Sequence, residues 1–300
     1  MKLRPEDCLP EDAERAILVG RAWVPGDHPG PSPVIIRGAD VVDISDTFPT
    51  MSELLNTESI ESKMDDINGT KIGVIDSLLE NSAWHSQDKK HPYLLAPVDL
   101  QAVKACGVTF AQSMLERVIE ERAKGDPSAA QGIRNDIQKV IGLDLESIIP
   151  GSSEAEQLKE VLIEKDMWSQ YLEVGIGPDA EVFTKAQPMS VMGIGAQIGI
   201  LEKSEWNNPE PEITLAVNAR GKILGATLGN DVNLRDIEGR SALLLGKAKD
   251  NNASAAIGPF IRLFDENFSL DDVRMAELSL TVRGLDQFTL HGRSSMSEIS

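Results

Sequence analysis

The amino-acid sequence predicts an α+β protein that is mainly β, and three observations carry that expectation. Short apolar segments separated by Gly, Pro, Asn and Asp turns fill both ends of the 300-residue chain. An apolar period of three and four residues is confined to the middle, beginning at Asp99. The 41% hydrophobic content suffices for one large domain or two smaller ones with real cores. The expected organisation is a small β-rich domain over residues 1–98 and a larger domain over 99–300, with a helical insertion around 110–172.

In the first part, "AILVGRAWV", "VIIRGADVVDI" and "GTKIGVIDSLL" read as strands joined by turns, including the Pro/Gly-rich "PGDHPGPSP". The polar stretch from Asn56 to Asn68 reads as a loop or an exposed helix. In the middle, Ala111, Met114, Leu115, Val118 and Ile119 recur at three and four, while Glu116, Glu120, Glu121 and Arg122 take the other faces. That is an amphipathic helix ending near Gly125. A second helix is expected around "AAQGIRNDIQKVIG", and a third from Ser153, where Ser153 and Glu156 have capping-box spacing. After Gly175, "EVFTK", "EITLAVN", "KILGATLG", "FIRLF", "ELSLTVRG" and "QFTLHG" read as short strands, with "NARGK" as a hairpin connection. "GIGAQIGI", from Gly193 to Ile200, lacks G-x-G-x-x-G spacing and a following βαβ unit, so it reads as a turn.

Charge narrows the function. Lys plus Arg number 29 against 48 Asp plus Glu, a formal net charge of -19 that opposes nucleic acid and anionic membranes as partners. No apolar run approaches a membrane span, and the N-terminus is charged from Lys2 with no signal-peptide stretch, so a cytoplasmic protein is expected. Cys8 and Cys106 cannot build a disulfide framework, and His28, His85, His91 and His291 lack metal-ligand spacing. Any metal here is held by oxygen.

"NNPEPEITLAVNARG", from Asn207 to Gly221, reads as a buried strand with two carboxylates at its head. Glu210 and Glu212 share a face with Thr214, while Ile213, Leu215 and Val217 line the other. Pro209 and Pro211 place this end at an edge or a strand entrance. Alone, E-x-E fits a solvated polar face. Asp231, nineteen residues beyond Glu212 and one hairpin later, shifts the balance, because a returning strand brings a third carboxylate beside the pair. Three such groups repel one another unless a cation neutralises them, and Mg²⁺ or Mn²⁺ suits an all-carboxylate set. The spacing does not fit an EF-hand loop.

With these blocks in view the chain resembles the fumarylacetoacetate hydrolase family. "EPE", "GNDVNLRD" and "GKAKDNNASAAIGPF" are similar to its E-x-E, N-D-x-x-x-R-D and K-x(9)-P blocks, and "EVFTKAQPMS" to its F-x-K-x(4)-S segment. The likeness covers roughly residues 95 to 290. It implies a mixed β-roll or sandwich, a homodimer or higher homo-oligomer, and Mg²⁺ (or Mn²⁺) on Glu210, Glu212 and Asp231. It further implies Lys249 as a catalytic residue and Lys185, Ser190, Arg235 and Asp236 as substrate-binding residues. By its own residue type Lys249 reads rather as a solvated loop cation, and it is the family pattern that favours catalysis; Lys247 stands close by.

One departure is informative. Hydrolytic members carry G-x-N-Y-x-x-H-x-x-E, whereas this chain reads "GVTFAQSMLE": Thr109 and Phe110 replace Asn-Tyr, Ser113 replaces the histidine, and the glutamate stays as Glu116. A serine does not serve as that base near neutral pH. The pattern looks like the sugar-acid dehydratase branch, which implies Mg²⁺-dependent dehydration of a small 2-oxo acid. The substrate would be 2-keto-3-deoxy-D-xylonate or the arabinonate isomer, converted to 2,5-dioxopentanoate through a metal-stabilised enolate. Glu116 and Lys249 would share the acid and base roles. The alternatives are a Mg²⁺-dependent C–C hydrolase of acylpyruvate or fumarylacetoacetate type, and an inactive member. Family members continue past the position of "LHGRSSMSEIS", so Ser300 reads as a truncation point.

Overall fold

The computed structural model describes residues 2–107, 119, 123, 127–141, 148–168, 170–179 and 181–298. Two compact units emerge, Met1–Lys104 with Thr184–Gly292, and Ala105–Phe183 with Arg293–Ser300.

The first unit is built on an eight-stranded antiparallel sheet. The N-terminal strands β1 (Leu18–Val24), β2 (Gly30–Arg37), β3 (Asp40–Asp43) and β4 (Thr70–Val74) form one flank, and β5 (Tyr93–Leu95) pairs with β1. Strands β6 (Val103–Cys106) and β7 (Val182–Ala186) carry the chain out of this unit and back. The other flank is β9 (Pro211–Val217), β10 (Ile223–Asp231) and β12 (Ala255–Leu263), giving the order β4-β3-β2-β1-β12-β10-β9. A two-residue ladder, β8 (Asn207–Asn208) on β11 (Asn233–Leu234), extends the β9–β10 hairpin at its open end. A separate hairpin is formed by β13 (Glu277–Arg283) and β14 (Thr289–Ser295).

Strand β1 pairs with β12 through Leu18↔Arg262 and Val19↔Ile261. Residues 1–98 therefore do not form a domain of their own but half of a sheet completed from beyond residue 210. The boundary expected at residue 98 fails because pairing between strands so distant in sequence leaves no local signature; only their apolar alternation is local.

That alternation covers both faces of the sheet. Leu18, Val34, Val41 and Phe260 pack with Leu78 and Leu79 of a helix at Ile75–Ser82, whereas Val19, Ile35, Val42 and Ile261 pack on the opposite side. The second side is closed by Met51, Leu54 and Leu55 of a helix at Met51–Asn56 and by Ile60, Met64 and Ile67. The stretch from Asn56 to Asn68 is thus only partly an exposed segment. It makes two short 3₁₀ turns in which Ile60 and Met64 are buried, with Ile67 buried just after them, a pattern its polar majority hides.

Strand β9 also differs from expectation. It is an edge strand, and its Ala216 side turns inward to the core while Leu215 and Val217 are 38% and 49% exposed. Beside them lies Leu228, 60% exposed and in register with Ile213.

In the second unit, helices at Pro127–Ile141, Ser153–Glu164 and Gln170–Ile176 enclose a core that includes Ile119, Ile137, Leu158, Leu162, Leu172 and Ile176. The cap of the middle helix is Ser152, whose hydroxyl accepts from the Ala155 amide at 3.1 Å, one residue before the expected capping box. Most of the amphipathic helix read before Gly125, including Thr109, Phe110, Ser113 and Glu116, lies outside the described residues. No helix of the described residues is long and apolar enough to cross a membrane.

Asp99 is the principal polar tie of the first unit. Its buried carboxylate accepts from the Met51 amide at 2.7 Å, the Ser52 amide at 3.2 Å, the Ser52 hydroxyl at 2.8 Å and the Leu100 amide at 2.7 Å. It compensates the N-terminus of the Met51–Asn56 helix from outside that helix. Replacing it strands several buried donors, so Asp99→Ala should cost about 3 kcal/mol, read as a lower urea midpoint at unchanged m-value.

Candidate metal centre

The β9–β10 hairpin turns at Asn218–Lys222, where Gly221 sits at φ +77°, a conformation that favours glycine. From there the register runs Thr227↔Thr214, Gly229↔Glu212 and Asn230↔Pro211, and the Asp231 amide donates to the Glu210 carbonyl at 2.9 Å. Asp231 therefore stands opposite Glu210, two pairs along from Glu212 and so on the same face. One carboxylate oxygen from each of the three lies within 4.8 Å of the others. Gly229 keeps that face open, since a Cβ there would collide with the Thr214 hydroxyl.

Two lysines enter this cluster. Lys249, 4% exposed, ends a helical turn at Leu245–Lys249 and places Nζ 2.5 Å from Glu210 Oε2 and 3.0 Å from Asp231 Oδ2. Lys185 of β7, 2% exposed, lies 2.9 Å from Asp231 Oδ1 and donates to the carbonyls of Val232 (2.7 Å) and Lys249 (2.5 Å). Lys247 is exposed, which settles which of the two neighbouring lysines reaches the carboxylates.

The charges are unevenly shared. Burial opposes the Lys249 ammonium, but Asp231 and Glu210 overcome it and hold its pKa above the ordinary value. For Lys185 burial prevails over the attraction of Asp231, and its pKa is lowered. Glu212 is pushed up to about 7, first by burial and then by the charge of Asp231, with Lys249 pulling the other way. Among the described residues its carboxylate has no hydrogen bond or ion pair.

The donor set fits a hard divalent ion. It is all oxygen, its geometry brings three oxygens together, and Glu212 lacks a counter-charge of its own. Asp231 Oδ1 adds to this, because it is buried and has no well-directed hydrogen bond despite the nearby Lys185 ammonium.

The other residues singled out by sequence are placed differently. Ser190 fastens two loops, donating to Asn252 Oδ1 at 3.3 Å and accepting from the Ala253 amide at 3.2 Å. Arg235 is half exposed and lies 3.8 Å from Glu238. Asp236 does not join the cluster: its carboxylate accepts from the Ser204 hydroxyl at 2.7 Å and the Glu205 amide at 3.3 Å, fixing that loop. Lys185 spends its ammonium on protein groups. Three asparagines not singled out by sequence contact Glu210: Asn230 accepts from its amide, and Asn208 and Asn233 donate to its carboxylate. The signal was there, an asparagine flanking each acidic block in "NNPEPE" and "GNDVN".

No family model matches the chain. A curated relative from Haloferax volcanii, "Probable 2-keto-3-deoxyxylonate dehydratase", is 37% identical over 128 residues, 43% of this chain and 42% of the relative. The 2-dehydro-3-deoxy-D-arabinonate dehydratase of Saccharolobus solfataricus is 40% identical over 94 residues, 30% of this chain and 32% of the relative. The chain thus spans less than half the length of each of these relatives. Among solved structures, 2-keto-3-deoxy-D-arabinonate dehydratase complexed with magnesium and 2,5-dioxopentanoate superposes with a TM-score of 0.61 at 18% identity, over 94% of this chain and 78% of that one. The apo form of that dehydratase gives 0.59 at 19% identity over the same shares. The likeness to the sugar-acid dehydratases drawn from the motifs and the mainly β fold class are borne out.

The Glu212 pKa has a consequence for stability. Because it is raised above the ordinary 4.5, its contribution is present in full below about pH 4.5 and is lost as pH rises through about 7. Above that pH the ionised carboxylate destabilises the metal-free protein. Glu212→Gln should therefore raise the metal-free melting temperature at about pH 8, change it little at about pH 5, and abolish any further rise on adding Mg²⁺. Thermal melts at both pH values, with and without the ion, check this.

Proposed function

We propose that this chain carries the site of a Mg²⁺-dependent hydro-lyase that removes water from a 2-keto-3-deoxy pentonate, xylonate or arabinonate, to give 2,5-dioxopentanoate. The observation that carries the reading is the convergence of Glu210, Glu212 and Asp231 with a buried Lys249 between two of them, on the fold of a dehydratase crystallised with magnesium and that product.

In this reading Glu210, Glu212 and Asp231 hold the ion, with Mn²⁺ as a substitute. When bound, it supplies a Lewis acid for the carboxylate and keto oxygens of a 2-oxo acid, which makes the C3 hydrogens acidic. Lys185 stays in the wall of the site and fixes Asp231. Lys249 reaches the carboxylates through Nζ, and Glu116, which lies outside the described residues, is the other acid–base residue that the motif implies. One of the pair takes the C3 proton and the other delivers a proton to the departing C4 hydroxyl. Loss of water and tautomerisation keep every carbon of the substrate, which separates this reaction from C–C hydrolysis.

The uncovered apolar side of β9 and β10, with Leu215, Val217 and Leu228, supports a homodimer in which a second copy covers it. A cytoplasmic setting belongs to the same proposal.

Proton NMR of the protein with 2-keto-3-deoxy-D-xylonate and its arabinonate isomer should show 2,5-dioxopentanoate in Mg²⁺ and none with excess chelator. Two shorter fragments from an acylpyruvate would instead identify a hydrolase. Glu212→Gln should abolish metal-dependent turnover with the circular-dichroism spectrum unchanged, and Lys249→Met should lower kcat by at least about a hundredfold. Full activity in either variant counts against the site.

A further inference from the structure

We propose that Asn208 and Asn233 clamp one oxygen of Glu210, so that Glu210 offers a bound divalent cation its other oxygen alone, and that this one-oxygen geometry selects a small octahedral ion over Ca²⁺. The inference rests on the metal reading above and concerns two residues outside the ligand set.

The β8–β11 ladder sets Asn208 directly opposite Asn233. Both side-chain amides donate to the same atom, Glu210 Oε1, at 3.3 Å and 3.0 Å. Asn233 is fully buried, and its amide nitrogen also donates to Glu238 Oε2 at 2.6 Å. Two carboxylates thus fix the orientation of this amide, because a flipped group would aim its oxygen at both of them. The amide oxygens of Asn208 and Asn233 are buried and have no hydrogen-bond partner among the described residues. Neither side chain is held by its acceptor; each is held by what it donates. Leaving buried acceptors unpaired is costly and calls for a reason, and orienting Glu210 supplies one.

With Oε1 occupied by two N–H groups, Oε2 is the oxygen turned to the cluster, where Lys249 Nζ already meets it and Asp231 Oδ2 together. A carboxylate held this way binds an ion through one oxygen. Mg²⁺ and Mn²⁺ accept six ligands at octahedral positions, whereas Ca²⁺ takes more oxygens and readily uses both atoms of a carboxylate. The clamp therefore acts on which ion binds as well as on how tightly. Asn208 and Asn233 are positioning residues, with Glu238 behind Asn233.

The test is titration of the metal-free protein with Mn²⁺, followed by electron paramagnetic resonance of the free ion, and competition with Ca²⁺, in the wild type, Asn208→Ala and Asn233→Ala. We expect each variant to bind Mn²⁺ about tenfold or more weakly, the usual penalty for losing a partner of a metal ligand, and its preference for Mn²⁺ over Ca²⁺ to shrink. A purely structural role would lower the metal-free melting temperature and leave that preference where it was. Should Asn233→Ala fail to fold, Asn208→Ala, at a half-buried position, carries the test. Wild-type affinity and preference in a folded variant overturn the clamp alone; a wild type that binds no divalent cation overturns the metal reading and the clamp with it.

Discussion

Negative charge gathered at the open end of one hairpin is the constraint on which the rest of the site depends. Glu210, Glu212 and Asp231 are brought within 4.8 Å by strand register, and the sheet cannot form without assembling them. Like charges at that separation in a partly desolvated place are unfavourable by several kcal/mol at an effective dielectric of about 20. Four side chains packed against the hairpin answer that repulsion. Two ammonium groups are buried beside Asp231, and two amides donate to Glu210.

The answer also organises the chain. Lys185 arrives on β7, and its ammonium bonds the Val232 carbonyl after β10, the Lys249 carbonyl at the end of a helical turn, and the Ser254 hydroxyl at 3.3 Å just before β12. Ser254 in turn donates to the Lys249 carbonyl at 3.0 Å. One buried cation thus ties β7 to the end of β10 and to the Lys249–Ser254 turn, and in doing so bears on the direction from which Lys249 reaches the carboxylates. Charge compensation and chain packing are the same interaction here, so the position of Lys249 follows from the placement of Lys185. A buried lysine whose partners are carbonyls and a carboxylate is a strong positional restraint, because leaving any of its donors unmet is costly.

The strands and the three carboxylates were legible in the sequence because their signals are local: period two along β9 and β10, prolines at the strand entrance, and a hairpin of countable length returning Asp231 to Glu210. What was not legible depends on contacts across the sheet. Nothing near Leu18 announces Ile261 as a neighbour, so the N-terminal strands read as a domain of their own. Ile213, Leu215 and Val217 mark one face of β9 as apolar, but alternation does not say which face turns inward; Ala216, small enough to pack against the core, decided it. Asn208 and Asn233 were not singled out, because asparagine is most often a turn residue and neither carries chemistry by its type alone. Their burial beside Glu210 is a tertiary fact. Asp236, which its motif placed with the substrate, also holds the Ser204–Glu205 loop, a contact the motif did not announce.

Depth gives the three carboxylates different surroundings. Asp231, 4% exposed, lies beside both ammonium groups. Glu210, nearer the surface, is held through one oxygen by amides and through the other by Lys249. Glu212 has neither, and burial beside Asp231 carries its pKa to about 7. Two of the three are therefore compensated by side chains of the protein, and Glu212, among the described residues, is not. A site with all three neutralised by lysines would be more stable and would have no affinity left for an ion. A site with none neutralised would repel itself open before an ion arrived. The arrangement at this hairpin lies between those limits, and the residue that sets the balance is Glu212, which has no partner among the described residues.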